Sequence, residues 1–473
     1  MRLSNWFAAS LAIIAVHAHG MALSSRGVGQ VLIYPYYTVN NHQQTMFSLS
    51  NDTELGKAVQ VTFREARDGR VVYVQDVFLG PNQSWSASVF ALRDIGVDND
   101  GVGIGSRDAA CVQTLTNPVT KTTPSGLVYH TFDTASYTGT MADGGPTDDA
   151  RTREGFIEVI ELGQIGGNTA TVISPRNSTP PDCSVVVPFV KMIGDIGVPI
   201  GGLSGTAAVI NVPQGTFFGF DPKVIDGFRV QRIMPPTFAT LDMAGDDGES
   251  TVRASIEYGG SFLTTTFPRK QAIDAVSALF MATTLTGDID NTADIGAATD
   301  WVLTFPTKEY YVGANPIGGD TRPFEKIFSE APAGSSPVTT DYSARSRDGY
   351  DLVGNWCGFN ECPPIHPEVA YQTQVVSFYP QRHADMSNVL YSNVPTFAPI
   401  ADGDGQAGTA TIEFIVGHLR ASSEGYVLAG LPVIGVQAIN YVNDDVAGGV
   451  LSNYSGTAAL RGTLRCEAAA GCH

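Results

Sequence analysis

The stretch Val59 to Phe78, VQVTFREARDGRVVYVQDVF, restricts the fold more than any other part of the chain. Val59, Val61 and Phe63 alternate with polar residues, Asp68-Gly69 supplies the residue pair that tolerates a tight hairpin turn, and an apolar run returns from Val71. A period of two is that of a strand, whose side chains point alternately to opposite faces. Runs of the same kind recur at Val31 to Thr38, Thr45 to Leu49, Trp85 to Ala91, Ser184 to Ile193, Thr206 to Val212 and Gly215 to Phe220. In the second half they recur at Val369 to Tyr379 and Thr409 to Val416, with an apolar interior stretch from Tyr426 to Val442. With 51 Gly, 27 Pro and only 16% charged residues, the punctuation between the runs is that of a turn-rich all-β protein. Pro35 within Val31 to Thr38 removes a ladder donor, so that strand is expected at an edge or a bend.

A chain of 473 residues exceeds one ordinary core. The expected fold is all-β (mainly β): two immunoglobulin-like or related β-sandwich domains with long loops and one short amphipathic helix. The first domain would span 23–265, with an acidic, glycine-rich loop from Asp94 to Gly105 and a long surface insertion from there to about Ala150, and the second 266–473, with a polar loop from Gly318 to Tyr350. The helix is expected to begin near Pro268, with Thr266 as cap. Ile273, Val276, Leu279, Phe280 and Thr283 form its buried stripe, and Ala272, Ala275, Ala278 and Ala282 keep it slim. Beyond Gly287 the period returns to two: Trp301, Leu303 and Phe305 share one face, Val302 and Thr304 the other, and Pro306 marks an edge or bend. A faint echo between the runs at Val59 and Trp301 fits either two related sandwiches or the shared preferences of all strands.

Residues 1–22 read as an export signal. Arg2 gives the positive start, Trp6 to Val16 the apolar segment, and Ala18, Gly20 and Ala22 the small residues for cleavage, with Val16-His17-Ala18 the best match. No later stretch is long enough to cross a bilayer as a helix. Six cysteines suit an oxidising compartment: Cys357 with Cys362 and Cys466 with Cys472 close small loops, and Cys111 with Cys183 remains. Cys357, Cys362 and His366 also read as a zinc pattern, but a fourth ligand is missing. The formal charge of −19, from 47 acids against 28 bases, argues against nucleic acid and anionic membranes as partners.

The search for catalytic signatures is negative. No G-x-S-x-G, HExxH or phosphate-binding loop occurs, and His42, His130, His366, His383, His418 and His473 have no metal-binding spacing, His418 reading as structural. Glu154, Glu158 and Glu161 in EGFIEVIEL would line one helical face, but the β-branched neighbours favour a strand, with Glu161 opposite the other two and the group on a solvated face. Four Asp-rich turns carry the positive signal: Asp98 with Asp100, Asp246 with Asp247, Asp288 with Asp290, and Asp402 with Asp404. Closely spaced carboxylates and glycine let a chain wrap calcium, which needs six or more oxygens. None fits an EF-hand, since Arg107 falls where its last glutamate belongs, and the same residues make ordinary turns.

The segments RGVGQVLIYPYYTVNN, TREGFIEVIEL and ATDWVLTFPTKEYYV give the chain a resemblance that runs along most of its length. It resembles a group of exported, β-rich bacterial envelope proteins of unassigned function. The resemblance implies a Gram-negative envelope setting and no functional residue. The expected function is therefore that of a secreted or surface-associated, non-enzymatic structural or adhesive protein, acting through loops or β-edge pairing. Its partners would be further copies of itself, or a surface protein or glycan. One alternative is a carbohydrate-binding or carbohydrate-cleaving envelope enzyme using loop carboxylates, with Trp85, Trp301 and Trp356 as sugar platforms. The other is a calcium-dependent assembly subunit.

Overall fold

The computed structural model describes residues 20–473 except 117–118, 124, 175–179, 189–190, 192–193, 235–236, 246–247, 314–319, 329–333, 354–365, 380–384, 401–406, 444–451, 469–470 and 473. Alternating β-branched and aromatic runs make the strands of the first half: β1 (Met21–Leu23), β2 (Val31–Thr38), β3 (Gln43–Asn51), β4 (Gly56–Glu65), β5 (Val71–Leu79), β6 (Ser84–Ala91), β7 (Val102–Gly105) and β8 (Cys111–Thr114). They continue with β9 (Thr120–Thr122), β10 (Val128–Thr131), β11 (Glu154–Ile165), β12 (Leu203–Asn211), β13 (Thr216–Phe220), β14 (Lys223–Asp226), β15 (Thr251–Tyr258) and β16 (Ser261–Pro268). A nine-stranded sheet has the order β16-β15-β1-β14-β2-β11-β4-β5-β8, and a seven-stranded sheet the order β13-β12-β3-β6-β7-β10-β9. Between them lies a core that includes Leu32, Tyr34, Phe47, Val61, Phe63 and Trp85. Phe47 stands edge-on to both Phe63 and Trp85, the arrangement that aromatic quadrupoles favour.

The second half contributes β17 (Met281–Ala282), β18 (Thr284–Asp290), β19 (Ala297–Thr304), β20 (Thr340–Ser346), β21 (Thr373–Tyr379), β22 (Pro395–Pro399) and β23 (Ala407–Phe414). It ends with β24 (Val427–Ala429), β25 (Leu431–Pro432), β26 (Ile434–Asn443), β27 (Ser452–Ala459), β28 (Arg461–Thr463) and β29 (Arg465–Glu467). Sheets of order β20-β23-β18-β28 and β22-β21-β19-β26-β27 enclose Leu285, Ile289, Trp301, Phe378 and Ile412, so the chain is mainly β with sandwich packing, as expected. That core is continuous with the outer face of the nine-stranded sheet, where Ile33, Phe156 and Ile160 are buried. Three short α-helices, α1 (Gly167–Val172), α2 (Ala272–Ala278) and α3 (Glu309–Val312), fill gaps among the described residues.

Several expectations change. The run Val31–Thr38 is an internal strand, paired with β14 on one side and β11 on the other, and all eight residues are buried. Pro35 is tolerated because the β2–β11 register shifts between Gly155 and Ile157, so the missing donor falls at a bulge. The Trp301 strand is central too, between β21 and β26, and Pro306 follows its end. Thr266 and Pro268 belong to β16, not to a helix start. The helix that follows is buried at all seven residues, hence not amphipathic, and its only polar groups are satisfied inside the protein. Asp274 receives Arg420 at 2.7 Å and the Tyr311 hydroxyl at 2.7 Å, and Ser277 bonds Thr307. Ser184 to Ile193 holds no strand among its described residues; Cys183–Val185 form a single 3-10 turn, tied to β8 by the Cys111–Cys183 disulfide.

Replacing Asp274 by Ala should remove the carboxylate that takes two hydrogen bonds from the buried Arg420 guanidinium, at a cost of about 3 kcal/mol in a urea melt. The double replacement Asp274→Leu with Arg420→Met should recover most of that loss.

Candidate functional site

The three glutamates of β11 are not solvated. All are buried, because β11 lies between β2 and β4 with protein on both faces. A bulge between Glu161 and Gly163 changes which face the strand presents. Glu158 accepts Arg64 Nε at 2.7 Å, and the same guanidinium reaches Glu309 of α3 at 2.6 Å. Glu161 accepts Lys57 Nζ at 2.7 Å and the backbone N–H groups of Ile200 and Gly201. Glu154 accepts the Tyr36 hydroxyl at 2.9 Å and the Asn393 N–H at 2.7 Å, joining the first half to the second. Burial pushes all three carboxyls up, against the pull of these donors. Sequence reasoning missed this seam. The available signal was a set of charges set singly within β-branched runs on two strands, Lys57 and Arg64 on one and the glutamates on the other.

At the hairpin turn of β4 and β5, Arg151 is buried over the Tyr137 ring at 4.4 Å and bridges Glu65, Asp68 and Asp143. Glu65 also accepts the N–H groups of Arg67, Asp68 and Arg70, so one carboxylate shapes the Asp68-Gly69 turn. Burial and the charge of Glu65 push the Asp68 carboxyl well up, against the pull of Arg151. Lys308 is buried as well, donating to the carbonyls of Ser336, Ala370 and Tyr371, and burial pulls its pKa well below the usual lysine range.

Beside this turn a cleft of about 280 Å3 opens between the halves, lined by Arg67, Asp148, Arg151, Arg153, Glu154 and Asn393 among others. A second feature is the free edge of β16. Thr266 gives its N–H to Glu424 and takes the N–H of Ser423, so the alternation of an antiparallel ladder turns Thr264 and Phe262 outward as well. Both are exposed, Phe262 by 71%.

The acidic turns separate. Asp98 and Asp100 both turn onto Arg93, at 3.2 and 2.5 Å. Asp290 is buried and serves Thr292, Arg347 and Tyr441, while Asp288 is exposed on the same strand. Asp246, Asp247, Asp402 and Asp404 lie outside the described residues, as do Cys357, Cys362 and Trp356. No three His, Cys, Asp or Glu side chains come together to hold a metal ion among the described residues. Cys466 and Cys472 form the expected small loop. Trp85 and Trp301 are core residues rather than platforms, at 2% and 0% exposure. His366 faces Asp341 at 3.6 Å, and His418 bridges to Ala429.

No protein-family model, curated protein or solved structure matches this chain.

Asp76 of β5 is buried with one neutral partner, Gln60 at 3.2 Å, and burial raises its carboxyl to about 7. The folded state therefore binds this proton more tightly than the unfolded chain, whose Asp titrates near 3.9. Its contribution to stability is full below pH 4 and is lost as the pH rises through 7. Asp76→Asn should accordingly be more stable than the wild type at pH 8, by about 4 kcal/mol, with the difference closing at pH 4 in parallel melts.

Proposed function

We propose that the protein is an exported, non-enzymatic structural or adhesive protein that works by strand pairing at the β16 edge, with a second copy of the chain as partner. The observation that carries this reading is the stretch Ser261 to Thr265, SFLTT, an uncharged open edge bearing an exposed Phe262. Monomeric proteins usually blunt such edges with lysine, proline or a bulge, and here Pro268 comes only after the open part. The edge is also self-complementary. Two copies related by a two-fold axis through Leu263 set Phe262 opposite Thr264 twice, closing four backbone hydrogen bonds. Val31–Thr38, expected at an edge, is internal and offers no open edge for pairing.

Export is supported by the apolar segment at the start of the sequence and by two disulfides, Cys111–Cys183 and Cys466–Cys472. Met21 is buried in β1, which favours cleavage after Ala18 over the later small residues Gly20 and Ala22. Mass spectrometry of the exported protein is expected to give His19 as the first residue, and a start at Leu23 would contradict this placement.

Thr264→Pro removes an outward N–H and leaves the inner ladder to β15 untouched. Light scattering should show dimers or larger species for the wild type, and monomers for Thr264→Pro with little change in melting temperature. A wild type that stays monomeric at all concentrations would overturn the edge reading.

A further inference from the structure

The cleft between the halves carries an inference independent of the β16 edge. It is built by Glu65, Ala66 and Arg67 at the end of β4, by residues 146–154 leading into β11, and by Asn393 and Val394 from the second half. In a chain of net charge −19, arginines readily find carboxylates: Arg64, Arg151 and Arg420 hold buried ones, Arg322 a half-buried one and Arg93 two exposed ones. Among the described residues Arg67 and Arg153 form no direct ion pair, although their charges act on Glu154 and Asp100. Arg67 donates to the Tyr371 hydroxyl at 3.0 Å and lies 4.9 Å from that ring. Arg153 makes one long bond, Nη2 to the Val39 carbonyl at 3.4 Å, and its Nε is buried with no hydrogen-bond partner.

Two of the carboxylates beside them, Glu65 and Glu154, are already committed. Glu65 serves Arg151 and three backbone N–H groups, and Glu154 serves Tyr36 and Asn393. Two half-buried guanidiniums thus keep most of their N–H donors unused in a recess, where a charge-assisted hydrogen bond is worth more than in open water. We propose that this cleft binds a small hydroxylated carboxylate of the hexuronate class. Its carboxylate sits on Arg67 and Arg153, and its hydroxyls donate to Asp148 and the Asn393 side chain. Asp148 and Glu154 on the same walls disfavour a doubly charged phosphate, whereas one negative charge surrounded by hydroxyls matches the mixed lining. The volume lies near the lower bound of ligand sites, about 300 Å3, and suits one sugar-sized unit.

The test is calorimetric titration of the mature full-length protein with D-galacturonate and its trimer, and with D-lactate, D-galactose and inorganic phosphate. Saturable binding of galacturonate is expected, weakened by salt, absent for galactose, and reduced about tenfold or more by Arg153→Gln and by Arg67→Gln. Binding of galacturonate or its trimer without lactate identifies a glycan source. Equal binding of lactate upholds the site and identifies free hydroxy acids. The proposal is overturned if no carboxylate saturates the protein, if phosphate binds as tightly, or if neither replacement alters binding. Should Arg153→Gln fail to fold, Arg67→Gln decides, because among the described residues that guanidinium hydrogen-bonds Tyr371 alone.

Discussion

The pairing of β11 glutamates with cations of β4 is the constraint on which the rest of the structure depends. β4 and β11 run side by side through the middle of the nine-stranded sheet, and both are covered on each face. Purely apolar strands could fill that place, but they would specify it less sharply. Each carboxylate needs its own donors at hydrogen-bonding distance, and removing a partner strands a buried charge. Glu161 with Lys57 fixes one end of the strand pair, Glu158 with Arg64 the middle, and Glu154 reaches across to Asn393 at the other end.

The same device recurs where loops meet the sheets. Glu65 gathers three N–H groups at the hairpin turn, and Asp300 gathers those of Val389 and Leu390. Carboxylates here do the work that helix caps do elsewhere, giving acceptors to backbone donors that no ladder satisfies. Part of the acidic excess is therefore interior architecture rather than surface charge. The two halves depend on each other through it, because donors from the second half complete the coordination of a first-half glutamate, and Thr304 donates to the Pro35 carbonyl.

What the sequence made legible follows from the range over which each signal acts. The Asp68-Gly69 hairpin, the strand periods at Thr45, Trp85 and Thr409, and the loop closed by Cys466 and Cys472 are local, and the structure agrees with them. The errors are those of layer. Pro35, Trp301 to Pro306 and the glutamates of β11 each read as an edge or a wet face in the sequence, because one strand cannot report how many layers cover it. The buried helix failed for the same reason: its alanines are as enclosed as its isoleucine, since protein surrounds it. In the candidate cleft, the individual arginines are visible in the sequence. That Arg151 is saturated while Arg67 and Arg153 are not depends on residues brought from distant segments, among them Asp143 and Tyr371.

Strand β1 also sets an order of events. Met21 pairs with Ala254 in parallel and Ala22 with Asp226 in antiparallel fashion, so the first strand of the described chain lies between two of the last strands of its half. A chain made from its N-terminus exposes those residues long before their neighbours exist. The middle of the nine-stranded sheet can assemble while synthesis continues, but the span from β14 to β15 closes only at the end. Such long-range closure is slow, since the entropy of a large loop is lost before the contacts form. The joint at β1 is thus the last seam of the first half to be sealed, and until then the chain carries open strand edges on both sides of it.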